Sequence, residues 1–168
     1  MSDRQVNIAI DAMGGENSPI KVLKGTEIFQ KKNKESDLFF FGNENQIKSL
    51  IISENINLKK YKILNTNDDV LDEDNVNTIL RSRKNSSIYK GLEFVKNEEN
   101  SGFVSSGNTA AIMILSRLHL GMIEGIDRPA ICSLIPNQKN YSLMLDLGAN
   151  VTVSPSNLLQ FALMGLCY

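Results

Sequence analysis

The sequence predicts an α/β fold, a three-layer sandwich with at least one antiparallel strand pair. Two patterns carry that prediction. Short apolar runs alternate with helical stretches along the 168-residue chain, the pattern of a mostly parallel sheet with helices on both faces. Two later apolar runs, AICSLI at 130–135 and SLMLDL at 142–147, have only the polar segment PNQKN between them. A link that short closes a hairpin and cannot make a crossover.

The elements follow in chain order. VNIAI at 6–10 is a strand that runs into the loop DAMGGENSP. Ser18-Pro19 has the form of an N-cap followed by proline at the first helical position. A helix through KVLKGTEIFQKK then turns Val22, Leu23, Thr26 and Phe29 towards the sheet. LFFF at 38–41 is a second strand, closed by Gly42. Over 43–54, Ile47, Leu50 and Ile51 form one helical stripe, with Glu44 and Lys48 four apart on another. YKIL at 61–64 is a third strand. The polar stretch 65–87 reads as a long loop, a feature that is usually functional or mobile in a compact domain. Ser86 or Ser87 caps a helix to about Asn97, with Ile88, Leu92 and Val95 as its apolar face. FVSS at 103–106 is a fourth strand. GNTAAIMILSRLHLG follows as a helix apolar nearly all round, which predicts deep burial. Ser154-Pro155 repeats the cap-and-proline device ahead of a last helix, SNLLQFALMGLCY.

Composition narrows the function classes. Hydrophobic residues make up 42% and charged residues 22%, which excludes a disordered tail or a fibre. A net charge of -1 argues against a nucleic-acid partner, which would go with a basic excess. No apolar run reaches the roughly 18 residues needed to span a bilayer. MSDRQVNIAID lacks the cleavage site of a secretory signal, so a cytoplasmic location is expected. Cys132 and Cys167 both lie in apolar runs and are expected as buried thiols in a reducing compartment. With one histidine, His119, and no paired cysteines, no metal site is expected. His119 itself is expected to be packed and singly hydrogen-bonded. Charge is uneven: of 18 basic and 19 acidic residues, only Arg117, Glu124, Asp127, Arg128, Lys139 and Asp146 follow residue 100. The later part of the chain therefore expects a partner for its apolar surface, a second subunit or a domain outside this chain.

Three strands end in small-residue turns that lead towards helices or loops. They are Asp11-Ala12-Met13-Gly14-Gly15, Ser105-Ser106-Gly107-Asn108-Thr109 and Asp146-Leu147-Gly148-Ala149-Asn150. Loops at the carboxyl ends of strands form the ligand crevice of an open α/β sheet. Glycine lets the backbone approach a ligand, and a helix N-terminus adds positive potential, so the combination suits an anion such as phosphate. Tight turning alone also accounts for such glycines; the extra donors of Ser105, Asn108 and Thr109 tilt that loop towards function. Asp11 and Asp146 are expected to hydrogen-bond loop amides and rigidify their turns, with acid–base or metal chemistry as the other possibility. Arg81, Arg83 and Lys84, with Ser86 and Ser87, form the one basic cluster. It is open to two roles, binding a phosphate or acidic partner or offsetting the acidic run before it.

The motifs IAIDAMGGENSP, RSRKNSSIYKGLEFVK, FVSSGNTAAIM, GIDRPAI, LDLGAN and LLQFALMG stand in this order. Together they resemble the amino-terminal half of the PlsX family, bacterial phosphate acyltransferases. The resemblance implies a Rossmann-like αβα sandwich, similar to isocitrate and isopropylmalate dehydrogenases. It makes residues 1–168 the amino-terminal half of a single phosphate acyltransferase domain, truncated relative to the family. It implies transfer of a fatty acyl group from acyl carrier protein to inorganic phosphate, giving an acyl phosphate for phospholipid synthesis, with no cofactor. It also implies a homodimer and a peripheral membrane contact in the full-length protein. On this basis Asn108 and Thr109 are the catalytic candidates. Asp11, Gly14, Gly15, Arg81, Arg83, Lys84, Ser86, Ser87, Ser105, Gly107, Asp146, Gly148 and Asn150 are the substrate-binding candidates. The sequence departs from the family at Glu16-Asn17, where Asp-His is common, and at Ser106 and Ala110, where Ala and Gly are usual. A non-catalytic phosphate- or acyl-binding module, or an inactive fragment, is the alternative.

Overall fold

Alternation along the strands decides which side chains meet which helices. In the computed structural model, which describes residues 6–33, 35–71 and 73–168, Leu38 and Phe40 join Ile10, Leu23 and Ile47 in one core. Phe39 and Phe41 take the opposite face, with ring centroids 4.6 and 5.7 Å from that of Phe94. This is period-two geometry: successive side chains of a strand point to opposite faces, so a strand buried on both sides reads as an unbroken apolar run.

The strands are β1 (Asn7–Asp11), β2 (Asp37–Gly42), β3 (Tyr61–Asn65) and β4 (Ser101–Val104). They pair in parallel in the order β3-β2-β1-β4. Helices α1 (Ile20–Lys32) and α2 (Glu44–Ser53) cover one face. On the other face α3 (Val76–Ser82), α4 (Ser87–Asn97) and α5 (Thr109–Leu120) gather a second core of Ile79, Ile88, Leu92, Ala111 and Leu115 against Phe103. Right-handed connections explain the split, because reversing the direction of travel across a sheet moves the connecting helices to its other face. The chain walks outward from β1 to β3, then returns past β1 to lay down β4. The three-layer α/β arrangement expected from the sequence is what forms.

Helix termini follow the sequence in most places. Asn43 caps α2 by accepting from Gln46 N–H at 3.0 Å, and Glu44 and Lys48 pair at 2.6 Å. Ser86 caps α4. Three expectations need correction. Ser18 does not cap α1; its hydroxyl donates to the Gly14 carbonyl at 2.5 Å, and α1 starts after Pro19 with no side-chain cap. The stretch 65–87 is not all loop, since it contains α3, capped by Asn75; seven residues are too few to establish a helical period. Nor is α5 deeply buried, with only Ala111, Leu115 and His119 inaccessible along it.

The chain divides after His119 into two compact units. In the second, β5 (Cys132–Pro136) and β6 (Tyr141–Leu145) form the expected antiparallel hairpin. The helix α6 (Pro155–Cys167) begins with a reciprocal capping box between Ser154 and Asn157. α6 packs on β6, where a Cβ added to Gly165 would lie 3.3 Å from the Leu145 side chain and 3.6 Å from that of Leu143. Cys132 and Cys167 are free and exposed, contrary to expectation. β5 is accessible along its whole length, and apolar sequence around a thiol does not ensure a covering layer.

Two outcomes follow from this packing. Leu134, Met144, Leu158, Leu163 and Leu166 are all exposed, and apolar patches beyond a few hundred Å2 are unusual on monomers. The isolated chain is therefore expected to self-associate in sedimentation and to bind a hydrophobic dye; a clean monomer that ignores the dye would contradict this. Gly91 of α4 has no room for a side chain, because a Cβ there would lie 2.3 Å from the Phe103 ring. Gly91→Ala gains helix propensity of up to about 1 kcal/mol but overpacks by about 1–3 kcal/mol. Denaturant unfolding should show a net loss of about 1–2 kcal/mol.

Candidate functional site

The strand order places a topological switch between β1 and β4, where outward and return connections diverge. In open α/β sheets ligands bind at the carboxyl ends of strands at such a point. Asp11 closes β1 there and Ser105 follows β4 directly. Asp11 is 1% exposed. Its Oδ1 accepts the Met13 and Gly14 N–H groups at 3.1 and 2.9 Å, and its Oδ2 accepts the Ser105 hydroxyl at 2.6 Å. Ser105 Oγ in turn accepts the Gly107 N–H at 3.0 Å, and the Ser106 hydroxyl donates to the Gly14 carbonyl at 3.0 Å. Two loops far apart in sequence are thus locked together.

That lock explains two glycines. A Cβ on Gly14 would sit 2.2 Å from Asp11 Oδ2 and 2.8 Å from the Gly107 nitrogen, so no other residue fits. Gly15 has φ +87°, a conformation that disfavours side chains. The glycines of the first loop serve the approach of one loop to the other.

Above the lock lies a cavity of about 720 Å3. Met13, Gly14 and Gly15 form one wall and Gly107, Asn108 and Thr109 another, with Ser87 and Ile88 at the start of α4 closing a third side. Two helix N-termini therefore open on one space. Each presents unpaired N–H groups and about half a positive charge, the physical basis of anion binding. Asn108 caps α5, with its Oδ1 accepting the Ala111 N–H at 2.9 Å; its amide nitrogen is left as a donor. Ser86 is fully buried and spent on structure, donating to the Arg83 carbonyl at 2.7 Å and accepting from Tyr89 N–H. Ser87 lines the cavity, and its hydroxyl makes no hydrogen bond among the described residues.

Among the described residues no lysine or arginine lines this cavity, whereas Glu16, Asp69 and Glu73 stand at exposed positions around it. The basic cluster lies elsewhere. Arg81 and Lys84 are exposed. The Arg83 guanidinium is committed to Asp74, with Nε–Oδ2 and Nη2–Oδ1 at 2.8 and 3.0 Å. That bidentate pair, helped by the Leu71 N–H, holds the Asp74 carboxyl below the usual carboxylate range. Offsetting acidic neighbours, one of the two roles open to the cluster, is thus what Arg83 does.

Asp146, Gly148 and Asn150 belong to the second unit. Asp146 Oδ1 accepts the Ile131 and Ala149 N–H groups at 2.9 and 3.1 Å, and Oδ2 accepts the Asn150 N–H at 2.7 Å and its side-chain amide at 2.9 Å. Burial pushes this carboxyl up, but the donors from Asn150, Ile131 and Ala149 outweigh it and hold it low. Gly148 turns the chain with φ +94°. Both strand-end aspartates therefore rigidify turns, as expected. Sequence reasoning missed Met13 and Ile88 as cavity wall, and the contribution of the acidic run through Asp69, Val70, Leu71 and Glu73; the length of that polar stretch was the only available signal.

A family model described as fatty acid synthesis protein matches residues 6–168. The chain belongs to this family. It is 39% identical over 160 residues to the phosphate acyltransferase of Pelagibacter ubique, covering 95% of this chain and 47% of that protein. It is 36% identical over 163 residues to the phosphate acyltransferase of Caldicellulosiruptor bescii, covering 97% and 49%. The phosphate acyltransferase of Neorickettsia sennetsu is 38% identical over 168 residues, covering 98% and 49%. The chain spans about half the length of the curated relatives it matches. The PlsX resemblance carried by the ordered motifs is borne out.

His119, on α5 beside the second core, provides a pH test. It is packed, edge-on to the Tyr89 ring at 4.4 Å, and its Nε2 is buried with no partner among the described residues. Burial lowers its affinity for a proton from the ordinary value near 6.5; Glu93 opposes this, and Lys96 and Lys90 add to it. The unfolded chain therefore takes up a proton that the fold refuses. This contribution to stability is complete above about pH 6.5 and declines as pH falls through the lower folded value. His119→Phe should flatten the stability–pH curve between pH 7 and 5 relative to the parent. Parallel curves would show that His119 titrates normally.

Proposed function

We propose that the cavity at the β1–β4 switch binds inorganic phosphate, and that the protein transfers a fatty acyl group to it from the thioester of acyl carrier protein. The observation that carries this reading is the convergence of two helix N-termini and the Asn108 amide on one cavity, lined by no cation among the described residues. The relatives' name, phosphate acyltransferase, supports it. A phosphate oxygen attacks the thioester carbonyl, the C–O bond forms, the C–S bond breaks, and the carrier's thiolate leaves, taking up the proton that phosphate gives up. Phosphate is itself the nucleophile, so no serine or cysteine nucleophile is needed. The protein's part is to seat the dianion in line with the carbonyl and to aim donors at the oxygen that becomes negative. The Asn108 amide nitrogen, the Thr109 end of α5, the Gly107 loop and Ser87 are the candidate donors.

Arg81 and Lys84, exposed and away from the cavity, are the candidate cations for docking the acidic carrier protein. The exposed apolar residues of β5, β6 and α6 support a homodimer. Among the described residues no helix is long and apolar enough to cross a membrane, which is compatible with a cytoplasmic enzyme that touches the membrane peripherally.

The test uses Asn108. Because Asn108 caps α5, Asn108→Ala would also cost about 1 kcal/mol of helix stability. Asn108→Ser keeps an oxygen for the cap and removes the amide donor. In a chain of the relatives' full length containing these residues, Asn108→Ser should lower acyl-phosphate formation, trapped with hydroxylamine, by about 10²-fold, the scale of losing one oxyanion donor. Melting behaviour should hardly change. Undiminished turnover would remove Asn108 from the reaction. The same assay on the 168-residue chain alone is expected to give little product, since positioning errors near 1 Å cost about 10²-fold.

A further inference from the structure

On the other face of the sheet lies a second cavity, of about 330 Å3. Ile8 and Ile10 of β1 and Val104 of β4 form its floor, and Val22, Gly25 and Phe29 of α1 form its wall. Thr26 also borders it, but its hydroxyl is satisfied by the Val22 carbonyl at 2.8 Å. One end of this groove is polar, formed by Asp11, Ser105 and Ser106, and Lys21 of α1 also lines it. Asp11 and Ser106 also line the 720 Å3 cavity. A polar chamber and an apolar one thus share the locked loops as a common wall.

Gly25 adds an independent observation. It lies inside α1, where glycine weakens a helix relative to any ordinary residue. Its backbone is not left-handed, and a Cβ built on it meets nothing within 4 Å. Neither conformation nor packing within the chain calls for a glycine. What the missing side chain does is leave the groove open.

We infer that this groove takes the linear acyl chain of the thioester substrate. The inference rests on the reading of the 720 Å3 cavity as the phosphate and thioester site. An acyl thioester is polar at the reacting carbonyl and apolar beyond it, and the two chambers divide in the same way. A volume at the lower end of the usual 300–1,000 Å3 for ligand pockets suits a narrow, flexible chain.

The test is direct binding, with no turnover required. A chain of the relatives' full length containing these residues is titrated with a fluorescent hexadecanoyl probe, and unlabelled hexadecanoyl- and octanoyl-pantetheine compete for it. Gly25→Ala should weaken hexadecanoyl competition slightly and Gly25→Leu at least 10-fold, with octanoyl competition much less affected and the melting temperature held or raised. Failure of the phosphate reading would appear in the Asn108→Ser turnover assay, which this binding assay on the parent and the Gly25 variants does not use. Equal affinity in all Gly25 variants would overturn the inference, as would a loss that ignores chain length. Loss of phospholipid-vesicle binding in Gly25→Leu with acyl-pantetheine competition intact would assign the groove to a membrane and overturn it as well.

Discussion

The buried carboxylate of Asp11 is the interaction on which the rest of the first unit's site depends. A carboxylate out of water is stable only when its oxygens are fully used by donors, and Asp11 uses two backbone N–H groups of its own turn and the Ser105 hydroxyl from the loop beyond β4. The short reach of these bonds brings Gly14 against Gly107, and that contact sets where α5 begins relative to the first loop. With the α4 terminus fixed separately by Ser86 and by the Asp68 and Asn85 contacts, the donors around the cavity have little freedom left.

This arrangement differs from a site built on lysine or arginine. Flexible cations hold phosphate tightly but lose side-chain entropy on ordering and can follow the charge wherever it moves. Backbone N–H groups at capped helix ends are already ordered, and in the proposed reaction their dipoles would stay in place while charge shifts from phosphate towards the carbonyl oxygen. The carboxylates of Glu16, Asp69 and Glu73 around the cavity oppose an anion there, so under the proposed reading the fixed donors must outweigh them.

Much of the fold was legible because it rests on local chemistry. The apolar runs of β1 and β2 are strands because both faces are covered, the PNQKN link is too short for anything but a hairpin, and Ser86 and Ser154 cap helices with side-chain oxygens. What was not legible depends on neighbours distant in sequence. Ser18 looked like a cap, but the Gly14 carbonyl claimed its hydroxyl once the loop folded. Arg83 looked available, but both carboxylate oxygens of Asp74, on the far side of a seven-residue helix that left no periodic trace, took the Nε–Nη2 edge of its guanidinium. In α5 an almost uniform apolar pattern could not indicate which face would be covered, and the surroundings of Cys132 and Cys167 raised the same ambiguity. At the site, the glycine loops were readable as a group, but which hydroxyls are spent on structure and which remain free, as with Ser86 against Ser87, is decided only by the folded geometry.

The separation of Asp11 and Ser105 by 94 residues bears on the order in which the molecule assembles. β1, β2 and β3 can pair through near neighbours in sequence, whereas joining β1 to β4 requires closing a much longer loop, whose entropic cost rises with length. A nascent chain can therefore hold most of its parallel sheet before either chamber exists. The loop lock thus closes the sheet across its longest loop in the first unit's site, and ligands seated on it would stabilise the folded state by mass action.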